Sequence, residues 1–168
     1  GPTAALAQLE ASKGYARDLA TALGIPGPAF ARFEGDDRES AALAWWAELG
    51  RPVVVKLDGL AAGKGVAVPG TDAETRSTIA DAASTGPFLL EERLRGPECS
   101  LLALCDGVTA VALPLAQDHK RIGEGDTGPN TGGMGAYSPV PLASAAVVET
   151  VMRDGVERTL RVLRGRGI

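Results

Sequence analysis

The stretch VVVKLDGLAAGKGVAV, Val53–Val68, sets a β-branched run against a glycine turn and then a second apolar run. Val53, Val54 and Val55 favour a pleated strand, and Gly59, Gly63 and Gly65 punctuate the segment after it. Lys56 closes the first run and Lys64 sits inside the turn. A Walker A loop needs four residues between its first glycine and Gly-Lys, followed by Ser or Thr. Here Gly59 and Gly63 enclose Leu60, Ala61 and Ala62, and Gly65 follows Lys64. A dinucleotide fingerprint needs a third glycine at Val68 and a helix after it, and GVAVP, residues 65–69, reads as strand. What remains is an antiparallel hairpin, 51–57 against 65–69, with a glycine-rich turn. Such a turn can aim backbone N–H groups at phosphate, with Lys56 as a fixed cation beside it. On these residues alone a plain hairpin stays equally open.

Outward from this hairpin the chain reads as mixed helix and strand. Leu6, Leu9, Tyr15, Leu19 and Leu23 make a helical stripe over 4–23, stopped by Gly24 and Pro26. IPGPAFARF, 25–33, is extended and suits a sheet edge because of its prolines. Asp36 or Asp37 caps a helix over 38–49 that ends at Gly50, and Thr71 or Asp72 caps another to about residue 83. Strands are expected at 87–94 and 97–105 around Arg95-Gly96, with Asp106-Gly107 as a two-residue hairpin turn. Residues 117–141 show no periodicity and read as a long functional loop. Ser144 caps a final helix to about 163. The fold class is α+β, an antiparallel sheet lobe with flanking helices.

Composition narrows the function. The 168 residues are 45% hydrophobic, 23% charged and only 4% aromatic, with net charge −4. No basic block indicates a nucleic-acid surface, and no apolar run reaches the ~20 residues of a membrane span. The first residues lack the basic-then-apolar pattern of a signal peptide, so a cytoplasmic location is expected. Cys99 and Cys105, roughly 20 Å apart if they share a strand, read as buried free thiols. His119 is the single histidine, which excludes a metal site built on Cys and His clusters.

Two further clusters carry chemistry. Glu91-Glu92 ends a strand, with Leu94 and then Glu98 beyond it; such acids can take ribose hydroxyls while backbone groups meet a flat base edge, or can simply be a solvated acidic tip. QDHKR brings Asp118, His119, Lys120 and Arg121 together. DTGPNTGGMGAYSP adds Asp126, Thr127, Asn130 and Thr131 beside backbone made approachable by Gly132, Gly133 and Gly135, with Met134 and Tyr137 able to pack the loop down.

DHKRIGEGDTGPNTGGMGAYSPVP, VVVKLDGLAAGKGV, EERLRGPE and EASKGYARDLATALGIPGP together resemble the glycinamide ribonucleotide synthetase (phosphoribosylamine–glycine ligase) family of the ATP-grasp superfamily, over nearly the whole chain. The resemblance implies an ATP-grasp core, incomplete at both ends, with three parts. Residues 1–50 would lead into the ATP-grasp region. Residues 51–113 would be its small lobe, and 114–168 the start of the second lobe, with substrate loop 117–141. It implies that ATP phosphorylates glycine and that 5-phosphoribosylamine attacks the glycyl phosphate, giving glycinamide ribonucleotide, ADP and phosphate in purine synthesis. It implies Lys13 and Lys56 on the ATP phosphates and Ala61, Ala62, Gly63, Lys64 and Gly65 as a lid. Glu91 and Leu94 would meet adenine through their backbones, with Glu92 alongside, and Glu98 would meet ribose. Lys56, Asp118, His119, Lys120 and Arg121 would be the catalytic set. Asp126, Thr127, Asn130, Thr131, Gly132, Gly133, Met134 and Gly135 would bind substrate. The family's magnesium (or manganese) ligands, a Glu-x-Asn element, and its Arg-Phe-Gly-Asp-Pro-Glu motif are absent from these 168 residues. The chain alone is therefore expected to be inactive. The other readings are a different ATP-grasp carboxylate–amine ligase and a non-catalytic nucleotide-binding module.

Overall fold

The computed structural model describes residues 2–59, 65–125 and 127–168. They fall into two compact units, the first ending at Arg95 and the second starting at Gly96.

The first unit opens with two helices where the apolar stripe predicts one. Helix α1, Ala4–Ala11, ends at Ser12, whose backbone is extended (φ −129°, ψ 115°). Helix α2, Lys13–Ala22, restarts there because the Ser12 hydroxyl accepts from the Tyr15 N–H. A serine that satisfies a free N–H in this way competes with the continuous helical backbone.

A four-stranded antiparallel sheet follows, ordered β1-β4-β2-β3. Its strands are β1 (Phe30–Phe33), β2 (Val53–Leu57), β3 (Val66–Ala67) and β4 (Phe88–Glu92). The proline-preceded strand β1 lies at the edge, as expected. Lys56 faces Val66 across β2 and β3, and the Leu57 N–H donates to the Gly65 carbonyl at 2.8 Å. The glycine stretch therefore joins the two strands of a hairpin.

The register sorts side chains onto two faces, because directly opposed residues share a face. Phe33 opposes Phe88, Val55 opposes Leu90, and Leu57 opposes Phe88. These form the core with Ala42 of α3 (Arg38–Leu49) and Ile79, Ala82 and Ala83 of α4 (Asp72–Thr85). Gly50 stops α3 in the left-handed conformation (φ 62°). Thr71 and Glu74 start α4 with a reciprocal capping box. The opposite face carries Arg32, Val54, Lys56, Leu89 and Glu91.

In the second unit the expected strand over 97–105 shortens to β5 (Ala103–Cys105), paired with β6 (Ala110–Ala112), plus a single bridge from Ser100 to Ala116. The turn tip falls one residue later than expected. Asp106 accepts from the N–H groups of Val108 (2.8 Å) and Thr109 (2.6 Å), so Gly107 and Val108 form the tip. Cys99 and Cys105 are free and exposed, not buried as expected. Cys105 ends the short strand β5 and Cys99 precedes the isolated Ser100–Ala116 bridge, so neither lies inside a broad sheet.

The stretch 117–141 is not the structureless loop its lack of periodicity suggests. Strand β7 (Gln117–Asp118) pairs with β10 (Ala136–Tyr137), and β8 (Arg121–Gly123) pairs with β9 (Thr127–Asn130). Between these pairs the Thr131 N–H donates to the Lys120 carbonyl (2.6 Å), and the Met134 N–H donates to the His119 carbonyl (2.7 Å). The whole is one interrupted hairpin. Its ladder is carried by glycines and polar residues, which leave no hydrophobic alternation to read.

The final helix begins at the Ser144 cap as expected. It runs as α5 (Ala145–Thr150), a π-helical stretch Val151–Glu157 and α6 (Arg158–Gly165).

Two substitutions gauge this framework. Phe88→Ala, at a site 1% exposed, is expected to cost about 3–5 kcal/mol, read as a lowered urea midpoint. Thr71→Ala is expected to cost about 1 kcal/mol, with an unchanged dependence on denaturant.

Candidate functional site

Helix α2 lies over the polar face of the first unit's sheet and is tied to it by ions. Glu91, 4% exposed, sits at the centre. Arg17 clasps it with both ends of its fork, Nε to Oε1 and Nη2 to Oε2, each at 2.8 Å. Lys56 Nζ reaches Oε2 at 2.7 Å. Burial pushes the Glu91 carboxyl up, but hydrogen bonds from Arg17 and Lys56 and their charges together outweigh it and hold the group below its usual range. Lys56 and Glu91 meet diagonally, since Lys56 opposes Leu89 and Val54 opposes Glu91.

Asp58 anchors the start of the glycine turn. Its carboxylate accepts from the Ser12 hydroxyl (3.1 Å), the Gly14 N–H (3.3 Å), the Gly59 N–H (3.0 Å) and Arg32 (3.4 Å). Lys13 Nζ donates to the Gly59 carbonyl at 2.7 Å. The first turn of α2 and the mouth of the glycine turn are thus one hydrogen-bonded assembly. A Cβ on Gly14 would run into the Arg32 side chain, which would have to shift aside from Asp58. Gly65 closes the turn from the other side and is buried. Ala61, Ala62, Gly63 and Lys64 lie outside the described residues.

Of the expected base-binding residues, Glu91 is a register partner of both Phe30 and Val54, so its backbone lies within the sheet. Leu94 lies past the end of β4 and is 66% exposed. Glu92 pairs with Arg51 at 2.6 Å, and that hydrogen bond holds its carboxyl below the usual range.

In the second unit, Lys120 bridges Glu98 (3.1 Å) and Asp118 (3.7 Å), and the hydrogen bond with Glu98 raises its ammonium's pKa. His119 stacks on Tyr137 with centroids 5.6 Å apart, and the Tyr137 hydroxyl donates to Gln117 at 2.6 Å. Arg121 donates to the Gly128 carbonyl (3.2 Å) and Thr127 to the Glu124 carbonyl (2.8 Å). Thr131 Oγ1 donates to the Lys120 carbonyl (2.9 Å) and accepts from the Gly133 N–H (3.1 Å). Asn130 opposes Arg121 in register. Gly133 and Gly135 take positive φ (117° and 150°) beside Gly132, where side chains are disfavoured. Tyr137 packs against its own hairpin, whereas Met134 is 59% exposed and does not pack the loop down. Asp126 lies outside the described residues.

Arg17, Arg32 and Asp58 escaped the sequence reading. The signal was present: Arg17 follows Lys13 by one helical turn, and Val54, Lys56 and Asp58 alternate onto one strand face. Glu91 gives this assembly a pH dependence. With its folded pKa below the ordinary 4.5, its contribution is complete above that value and is lost as pH falls through the lowered one. Glu91→Gln is expected to lower stability near neutrality by about 2 kcal/mol, less than a fully buried pair because Arg17 and Lys56 still reach solvent. It should also flatten the acid limb of stability against pH, measured by urea unfolding.

A family model described as phosphoribosylglycinamide synthetase, ATP-grasp (A) domain, matches residues 11–168. Phosphoribosylamine–glycine ligase of Mesorhizobium japonicum is 48% identical over 168 residues, covering 96% of this chain and 39% of that protein. The same-named protein of Synechocystis is 49% identical over 170 residues, covering 100% of this chain and 40% of that protein. The crystal structure of phosphoribosylamine–glycine ligase from Thermotoga maritima matches with a TM-score of 0.84 at 33% identity, over 99% of this chain and 43% of that one. This chain spans about 40% of the length of the curated relatives it matches. No described helix is long and apolar enough to cross a membrane. The fold, the glycine hairpin with its lysines and the match over 11–168 agree: the chain belongs to the phosphoribosylglycinamide synthetase ATP-grasp (A) domain family.

Proposed function

We propose that these residues hold ATP for a phosphoribosylamine–glycine ligase of the cytoplasm. That enzyme joins glycine to 5-phosphoribosylamine through a glycyl phosphate, releasing ADP and phosphate. The observation that carries the reading is the pair of lysines beside the mouth of the glycine turn, Lys13 on the Gly59 carbonyl and Lys56 on the Glu91 carboxylate. Its donor set fits a polyphosphate: cations on rigid elements, beside a turn rich in backbone N–H groups.

In this reading 1–50 lead into the ATP-grasp region, 51–113 hold the nucleotide and 114–168 begin the substrate lobe. Lys56 is the fixed cation on the phosphates, with Lys13 beside it, and residues 61–65 cover them. Glu91 and Leu94 meet the base through their backbones, with Glu92 alongside, and Glu98 meets the ribose. Asp118, His119, Lys120 and Arg121 act at the reacting groups. Asp126, Thr127, Asn130, Thr131 and the Gly132–Gly135 turn receive glycine and phosphoribosylamine. A closed glycine turn would keep the acyl phosphate from water. Among the described residues no three of His, Cys, Asp or Glu converge on a point. They do not fit the divalent ion expected with ATP.

Calorimetry tests the nucleotide part: the 168-residue chain should bind ATP, and Lys56→Ala should weaken binding by about tenfold or more. Glycine- and phosphoribosylamine-dependent ADP release from the same chain should be absent. The 168 residues should restore that release when they replace the matching segment of the Synechocystis relative. Release in this chimera with another acid but not with glycine would transfer the domain to a different carboxylate–amine ligase.

A further inference from the structure

The ion cluster under α2 contains one carboxylate and two cations. Glu91, with its side chain 5% exposed, accepts from Arg17 through two parallel contacts and from Lys56 through one. The two cations are not equivalent. Arg17 is always charged, and its planar fork matches both carboxylate oxygens. Lys56 holds a single oxygen at 2.7 Å from the end of a flexible stem. It also stands two residues before Asp58, which anchors the glycine turn.

We infer that Arg17 is a positioning residue whose clasp keeps Glu91 compensated, so that Lys56 can leave it for the phosphates of a nucleoside triphosphate. This rests on the nucleotide reading above. If Lys56 were the only partner, turning it to a phosphate would strand a buried carboxylate, and that cost would be subtracted from binding. With Arg17 in place, Glu91 keeps two of its three contacts while Lys56 moves. Arg17 needs no contact with the ligand; it sets how readily Lys56 is released.

ATP affinity of the 168-residue chain, measured by calorimetry with circular dichroism as the check on folding, tests this. Arg17→Gln keeps hydrogen-bonding capacity but removes the charge, and should raise the ATP Kd about tenfold. Arg17→Lys restores the charge and should stay within about threefold of wild type. The double variant Arg17→Gln with Glu91→Gln removes the carboxylate that needs compensation, and should also return to within about threefold. Loss of a mere structural brace would not be repaired by a second lost contact. The inference is overturned if Arg17→Gln binds ATP like wild type. It is equally overturned if the double variant stays as weak as the single one, or if Arg17→Lys is as weak as Arg17→Gln. Should Arg17→Gln fail to fold, Glu91→Gln alone decides: with no carboxylate to compensate, Lys56 is free and ATP should bind at least as tightly as to wild type, and a Kd raised about tenfold overturns the inference. Absence of ATP binding by the wild-type chain would instead sink the nucleotide reading, and the inference with it.

Discussion

The alternation of side chains along β4 governs the first unit. FLLEE must send Phe88 and Leu90 to one side and Leu89 and Glu91 to the other. Because β4 lies between β1 and β2, both neighbours inherit this division. The apolar side closes on α3 and α4. The other side buries a carboxylate, which is tolerable only where cations can be brought to it. Lys56 comes from the neighbouring strand and Arg17 from α2, so the helix is fixed to the sheet by charge. The residues that open the glycine turn are held by the same helix, through Ser12, Lys13 and Gly14. One period-two constraint thus links the core to the mouth of the site.

Much of this was legible in the sequence because it is local. The hairpin around the glycine stretch, the helix 38–49 with its Gly50 stop and the cap at Thr71 each depend on residues a few positions apart. The break at Ser12 was masked by an apolar stripe that continues through it. The 117–137 hairpin was missed because its ladder is made by backbone groups of Thr, Gly and Asn, which have no hydrophobic period. Site residues followed the same division. Lys13 and Lys56 were recognisable by type and by resemblance. The partnership of Arg17 with Glu91 spans 74 positions, and only the sheet register brings such residues together.

The two units use charge differently. In the first, Glu91 is buried and every contact to it is defined by rigid elements. In the second, Glu98, Asp118 and Lys120 are partly exposed, so their mutual attraction is screened and weak. The hairpin's geometry rests instead on backbone bonds and on His119 stacked against Tyr137. Its polar side chains are consequently free to exchange partners at little cost.

The π-helical stretch at Val151–Glu157 has a consequence for the chain's phase. Its i→i+5 bonding closes each ring with one residue more than an α-helix does. One residue corresponds to roughly 100° of rotation at 3.6 residues per turn. Leu163, 2% exposed, is therefore set facing inward by the length of the segment before it as well as by its own position. Deleting one residue there would let the helix close as a regular α-helix and leave Leu163 facing as it does, because the wide ring had taken up that residue, whereas deleting one from a regular α-helical turn would swing α6 by that angle. The wide turn acts as an angular spacer, and the helix records in its winding a residue count that its hydrophobic pattern does not show.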